Sequence, residues 1–345
     1  MCLVIGACAA PPAASAPLPV STTAAPVPAA ARSAATAPAW RRIADIPTGR
    51  SEVAAVVSQQ QSRVFVIGGF GGPDRVERYD AVADRWDRAP DLPIGVDHPM
   101  AAAVEGLQNA APQGVFVFGG YLGDGTATAR SFHFDAVAVR WDEIAPMPGP
   151  RAAAAAVAVG SSIFIVGGAA GGRLVAPTYE YNVATRQGRS VAAIPTPRDH
   201  LAGAGIDGRV CAVGGRRLSL SLNLATFECY DPRADTWART PDAPTARGGV
   251  GAAANDGRVY FIGGEQPNGT HREVEIFDMR TNAWTRGPDL PTARHGLGVV
   301  VVPATKDLDA QRNLITKPPR LLVLSGGPTP GGSQTVICEA IDLGP

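Results

Sequence analysis

Neither sign of charge prevails in this chain: Lys and Arg together number 31, and so do Asp and Glu. That balance excludes the broad basic surface that gathers nucleic acid, and with it any general pull toward an anionic membrane. Segments with a helical period are few. Past the first residues, no apolar run is long enough to cross a bilayer as a helix. The five cysteines (Cys2, Cys8, Cys211, Cys229 and Cys338) are odd in number and irregular in spacing, so they form neither a disulfide framework nor a zinc-binding pattern. No Ser-His-Asp set and no phosphate-cradling glycine loop can be picked out. Glycine and proline, by contrast, are plentiful, at 40 and 31 residues. With turn formers this common and helical periods this scarce, the chain reads as all-β.

One phrase recurs along it. Arg258–Gly264 reads R-V-Y-F-I-G-G, a short β-forming apolar run closed by two glycines. The same phrase stands at Arg63–Gly69, Gly114–Gly120, Ser162–Gly168, Arg209–Gly215 and Arg320–Gly327. The second glycines fall at 69, 120, 168, 215, 264 and 327, in steps of 51, 48, 47, 49 and 63. A period near fifty in short strands marks a repeat architecture. Each repeat begins with a run of small residues, such as Ala152–Val159 or Gly248–Ala254, followed by the Gly-Gly strand. After a variable loop comes a strand ending in an aromatic and an acid or amide: Tyr79-Asp80, Phe134-Asp135, Tyr181-Asn182, Tyr230-Asp231 and Phe277-Asp278. Seven residues past the aromatic stands Trp86, Trp141, Trp237 or Trp284, with Gly188 at that place in the third repeat. Four strands, a to d, therefore form an antiparallel meander, small at its inner edge and aromatic at its outer one.

The sixth repeat stops after Ile341-Asp342, before any tryptophan, and the missing strand stands at the other end. Trp40 in A-W-R-R-I-A-D-I-P matches Trp284 in A-W-T-R-G-P-D-L-P, so the N-terminal strand is expected to complete the last blade and close a ring. These signatures resemble kelch repeats, over about Trp40 to Asp342. The resemblance implies a six-bladed β-propeller with four antiparallel strands per blade, spanning 38–345. It implies much less about function, since that fold hosts enzymes, adaptors and binding modules alike.

Before the propeller, 1–8 look like the tail of a secretory signal, and Ile5-Gly6-Ala7-Cys8 resembles the lipobox of bacterial lipoproteins, in which the cysteine is lipidated. Residues 9–37, nearly all Ala, Pro, Ser, Thr and Val, read as a disordered tether. The resulting expectation is an exported protein, periplasmic or lipid-anchored through Cys8, with no other membrane contact. The insertion Pro303–Pro319 reads as a mobile loop on the face away from the binding mouth. Cys211 and Cys229 fall on neighbouring strands of one repeat. They read as two buried thiols, with a disulfide left open.

The connections from strand d to the next strand a carry Pro-x-x-Arg in five repeats, placing Arg50, Arg151, Arg198, Arg247 and Arg294 around one mouth; the second repeat offers Val96-Asp97-His98 instead. The b–c loops belong to the same face. Two roles are open for each arginine: contact with a carboxylate, sulfate or phosphate ligand, or stapling of the blade through carbonyls and acidic neighbours. On the first reading the ligand-binding set is Arg50, Arg151, Arg198, His200, Arg247, Arg294 and His295. No metal or other cofactor is expected: His98, His200 and His295 come from different blades, and no outer partner for them is readable. The tyrosine pair and cysteine crosslink of the radical-copper sugar oxidases that share this fold are not present. Among b–c loops, Gly264-Glu265…Arg272 is similar to that of exported kelch-type sialic-acid mutarotases, which implies Glu265 as acid/base and Arg272 as carboxylate anchor. Arg216, Arg217, Tyr121 and Asp124 stand on other b–c loops, while His133 reads as structural. The function expected from the sequence is a monomeric binding module for an anionic small molecule, a glycan or a protein, with a carbohydrate mutarotase or epimerase as the alternative.

Overall fold

In the computed structural model, residues 38–59, 63–106, 113–308 and 312–344 are described. The lipobox-like opening, Cys8 and the Ala/Pro-rich tract through residue 37 lie outside them. The described residues form six four-stranded antiparallel sheets, the blades of a propeller, with their innermost strands at Ala54–Ser58, Met100–Val104, Ala155–Val159, Ala202–Ile206, Gly251–Asn255 and Gly298–Val302. The sixth sheet runs Gly298–Val302, Arg320–Leu324, Cys338–Asp342, then Arg41–Arg42 from the other end of the chain. Arg41 lies opposite Ala340 and Arg42 opposite Glu339, so the ring closes as the Trp40 match requires.

The small-residue run follows from crowding near the axis. A Cβ on Gly203 would meet Val157 and Ala155 of the preceding blade, and one on Gly298 would meet Ala55 of the following blade. At the outer edge, each tryptophan bridges to the blade before it. Trp86 donates its indole N–H to the Ala44 carbonyl, Trp141 to Pro90, Trp237 to Ala192, Trp284 to Pro241 and Trp40 to Pro288, at 2.8–3.0 Å. An indole packed between blades needs an acceptor, and the neighbouring connection supplies it. In the third blade, Tyr179 lies across Gly188 and occupies the space a tryptophan side chain would take. The Asp, or Asn182 in the third blade, after the aromatic starts the c–d turn: Asp80 Oδ1, for example, accepts from the amides of Val82 and Ala83 at 3.0 Å.

The Gly-Gly pair is a clasp between blades. The second glycine's amide donates to the carbonyl of the next blade's connection: Gly69 to Val96, Gly120 to Arg151, Gly168 to Arg198, Gly215 to Arg247 and Gly264 to Arg294, at 2.8–3.0 Å. That carbonyl approaches so closely that a Cβ on the first glycine would collide with it, as Gly68 shows against Val96 and Gly263 against Arg294. In the sixth blade the register differs by one from the glycine count. Gly326, not Gly327, donates to the Arg50 carbonyl, and Ser325, at φ 57°, takes the first glycine's place with its hydroxyl on Arg50.

One expectation is extended here and one corrected. The insertion at Pro303–Pro319 carries secondary structure that a loop alone does not imply: Thr305–Leu308 pairs with Leu314–Lys317 in a two-stranded ladder. Cys211 and Cys229 are not two thiols. They stand directly opposite each other on adjacent strands, with Cα atoms 4.0 Å apart, and are joined as a disulfide. Cys338 is a buried thiol.

Candidate functional site: the axial mouth

The structure resolves the two roles open to the arginines. Arg50, Arg198, Arg247 and Arg294 are 0% exposed and Arg151 is 6% exposed, so none of them lines the mouth. Arg50 spends its donors on the carbonyls of Gly68, Arg75 and Val66 and on Glu77 Oε2 at 2.8 Å. Arg198, Arg247 and Arg294 repeat the arrangement with Glu228, Glu275 and Glu339 at 2.6, 3.0 and 2.6 Å. The threonine after the proline completes a triad on each of these carboxylates: Thr48 with Glu77, Thr196 with Glu228, Thr245 with Glu275 and Thr292 with Glu339. The ligand-binding expectation for these arginines is therefore replaced by blade stapling, because a guanidinium buried inside a sheet, its terminal nitrogens on carbonyls and carboxylates, is out of a ligand's reach. Burial lowers the Arg50 and Arg151 guanidinium pKa values to about 10, and Arg151 has no acid to oppose the shift. The sequence carried a sign of this. Thr after Pro, Arg three after Pro, and Glu two before the strand's last aromatic or Ile occur together in four blades. Thr and Glu are both missing where Arg151 stands alone, and the whole set is missing where Val96 and Phe132 take the Arg and Glu places.

What faces the axis is the second residue past each arginine. Glu52, His98, Ala153, His200, Gly249 and Gly296 occupy equivalent places, all with φ between 51° and 63°. Their backbones form a ring of hydrogen bonds. The amides of His98, Ala153, His200, Gly249 and Gly296 donate in turn to the carbonyls of Glu52, His98, Ala153, His200 and Gly249, and the Val53 amide returns to Gly296. With that ring closed, the left-handed conformation aims three chemistry-bearing side chains at the axis and leaves room beside them. A cavity of about 70 Å³ lies there, lined by Glu52, His98, His200 and small or aliphatic neighbours.

These side chains are held from outside. His98 Nδ1 lies 2.6 Å from Asp97 Oδ1, and His200 Nδ1 lies 2.6 Å from Asp199 Oδ2. The two Nε2 atoms are 3.0 Å apart, and His98 Nε2 is 3.2 Å from Glu52 Oε2. Phe70 and Tyr121, each just past a Gly-Gly pair, pack edge-on against the His98 ring. Glu52 Oε1 accepts from His295 Nδ1 at 3.0 Å, and His295 Nε2 donates to the Thr329 carbonyl at 3.0 Å. Both nitrogens of His295 face acceptors. Although burial opposes the charged ring, Glu52 and Glu265 raise its pKa. Burial likewise works against the Glu52 carboxylate, but His98, His295 and His200 outweigh it and hold the group well below the usual range.

Glu265 and Arg272 are not brought together. Glu265 is 2% exposed; its Oε1 is bound by Arg216 at 2.7 Å and its Oε2 by the Gly331 amide at 2.9 Å. Arg272 is exposed and donates to the Pro291 carbonyl. Asp124 is exposed and caps its own turn through Thr126. His133 bonds the Gln113 carbonyl inside its blade. Glu52 had drawn no notice in the sequence. Counting two past each Pro-x-x-Arg arginine would have placed it beside His98 and His200, and the repeated Asp-His dipeptide names the outer partners.

A family model, the KLHDC2/KLHL20/DRC7 Kelch-repeats domain, matches residues 97–306, more than half the chain. The chain belongs to the kelch-repeat family. It is 27% identical to Kelch-like protein terF of Aspergillus terreus over 63% of this chain and 50% of that protein. To Kelch-like protein 38 of Rattus norvegicus it is 28% identical over 52% of this chain and 30% of that one. To beta-scruin of Limulus polyphemus it is 26% identical over 65% and 26%. The chain thus spans half or less of the length of these curated kelch relatives.

Proposed function

We propose that this kelch propeller is an exported binding module that takes an acidic, apolar protein segment on the face bearing its mouth. The observation that carries this reading is the b–c loop of the fourth blade. Leu218 and Leu222, 49% and 53% exposed, stand on a loop fixed at both ends. Its Leu218 amide bonds Asp199 Oδ1, its Arg217 amide bonds the Leu222 carbonyl, and its Asn223 side chain bonds the Glu265 carbonyl. A loop already held in shape loses little entropy when a partner docks. Arg173, Arg217 and Arg272, on the b–c loops of three consecutive blades, are exposed and form no ion pair among the described residues, so the cations available to an acidic partner are these and not the buried five. Kelch propellers commonly bind protein partners, which supports the same reading. The lipobox-like opening and the Cys211–Cys229 disulfide favour an oxidising compartment.

The test uses matched baits: wild type, Leu222→Asp and Arg217→Glu on the loop face, and Val137→Asp on a c–d turn of the opposite face, where Val137 is 96% exposed. A partner that salt weakens, that both loop-face variants lose and that Val137→Asp keeps supports the proposal. A partner lost only with Val137→Asp overturns it. Export is read from protein isolated from its own cells: alkylation before reduction must leave Cys211 and Cys229 unmodified, and two free thiols there remove that support.

A further inference from the structure

We infer that Glu52, His98 and His200 form a binding site for one divalent first-row transition metal ion on the propeller axis. The inference does not depend on the partner proposed above.

The argument starts from protons. A carboxylate 2.6 Å from each Nδ1 places the ring proton there, on His98 by Asp97 and on His200 by Asp199. That turns both Nε2 atoms to the axis, where they face each other at 3.0 Å, with Glu52 Oε2 3.2 Å from one of them. Three atoms able to ligate thus converge on one point. A proton can bridge two such atoms, whereas a metal ion gathers all three. Their ligand atoms all lie within 4.8 Å of one another.

The surroundings fit the same conclusion. A metal-binding imidazole typically presents its other nitrogen to a carboxylate, which fixes the tautomer and aims the ring; here both histidines do so. The remaining oxygen of Glu52 is bound by His295, so every inner donor has its outer partner. The pattern is written into the repeats. Asp stands directly after the arginine place in only two of the six, and in both the next residue is the axial histidine. The other axial places hold Ala153, Gly249 and Gly296, which crowd nothing. The second cluster, Glu52, Glu265 and His295, has one imidazole instead of two, and both Glu265 oxygens are already taken, by Arg216 and by the Gly331 amide.

Two imidazoles and one carboxylate suit Zn²⁺ or Fe²⁺ better than Mg²⁺ or Ca²⁺, and three protein ligands leave coordination positions open. Those positions face the cavity, and the side chains of Glu52, His98 and His200 are each 9–10% exposed, so an ion has a way in.

The experiment strips the full chain with chelator and titrates it with Zn²⁺, reading metal per chain by elemental analysis. Co²⁺ serves as the coloured probe. Wild type is expected to take up one equivalent, and the Co²⁺ absorption is expected to vanish when Zn²⁺ is added. His98→Ala and His200→Ala each weaken binding at least about 100-fold, Asp97→Asn weakens it about 10–100-fold as outer partners do, and His133→Ala leaves it unchanged. The alanine variants keep the fold, because Ala153 already occupies the equivalent place at φ 52°. Wild type that takes up no stoichiometric Zn²⁺ or Co²⁺ overturns the inference and leaves a shared proton between the rings. Undiminished affinity in His98→Ala or His200→Ala overturns it as well.

Discussion

The buried Thr–Glu–Arg triad makes a quantitative prediction in the fourth blade. Arg198 is 0% exposed and Glu228 3% exposed, joined at 2.6 Å. Burial pulls the Arg198 guanidinium below its usual value, and Glu228 works against that pull. Removing one partner of such a pair strands the other charge, at a cost of about 3–5 kcal/mol. Glu228→Gln keeps the shape and the Thr196 contact, so its cost falls at the lower end, about 3 kcal/mol. Arg198→Met strands Glu228 and also frees the Gly214 and Ala212 carbonyls that Arg198 holds at 2.7 and 2.9 Å, giving about 4 kcal/mol. The double variant strands no charge and keeps only the cost of the freed carbonyls, about 2 kcal/mol, against a sum of about 7, a coupling of about 5. Arg151→Met is the control. Arg151 holds carbonyls but no acid, so its loss is about 2 kcal/mol. The assay is denaturant unfolding followed by fluorescence of the tryptophans at the blade junctions, read only where the slopes agree. An additive double variant, near 7 kcal/mol, would refute the claim that the charges are held for each other.

Three further outcomes follow from the same architecture. Gly188→Trp restores the repeat's tryptophan but drives it into Tyr179, so it should destabilise by about 1–3 kcal/mol; adding Tyr179→Glu, which clears the ring and gives Arg151 an acid, should recover most of that, and no recovery in the melt would break the repeat logic. Burial raises the phenols of Tyr79, Tyr179, Tyr181, Tyr230 and Tyr260, that of Tyr179 to about 12, so their contribution to stability is whole below the unfolded value near 10 and is lost as pH climbs through the folded values. Phenolate absorbance should therefore appear together with alkaline unfolding, and a gradual rise near pH 10 in a folded protein would contradict the burial. A chain beginning at Ala44 loses Trp40 and Ile43 and bares the Cys338–Asp342 edge, which should cost about 3–5 kcal/mol and promote self-association, against an unchanged melting curve if the ring does not depend on that strand.

How much of this was legible in the sequence varies with distance from the repeat. The blades, their number and the closing strand were readable because each rests on a residue type recurring at a fixed step: Gly-Gly where a neighbour's carbonyl leaves no room for a Cβ, and tryptophan where an indole must find that neighbour's carbonyl. The one-residue slip in the sixth blade came from the same rule, since Ser325 reaches the left-handed conformation with its hydroxyl on Arg50 and made Gly326-Gly327 look like the usual pair. The arginines were found at the right places but with both roles open. Recurrence says that a position matters and is silent on whether its side chain turns into the sheet or out of it; only the co-occurring threonine and glutamate decide that.

The axial site is the reverse case, and the reason is physical. At the sixfold place two past the arginine, the fold asks for a left-handed backbone and the groups that make the ring of hydrogen bonds; only at Gly296, where a Cβ would meet Glu52, does it restrict the side chain. Glycine, alanine, glutamate and histidine all satisfy those demands, so the position leaves no consensus to read. For the same reason it can vary between propellers of one family without disturbing the ring, while six such side chains still converge on a single point. Here three of the six are small and three are ligands, each ligand is oriented by a partner outside the ring, and none is needed to hold a blade together. A residue that the scaffold does not require, but that a buried partner fixes in place, is better explained by what it holds than by what it supports.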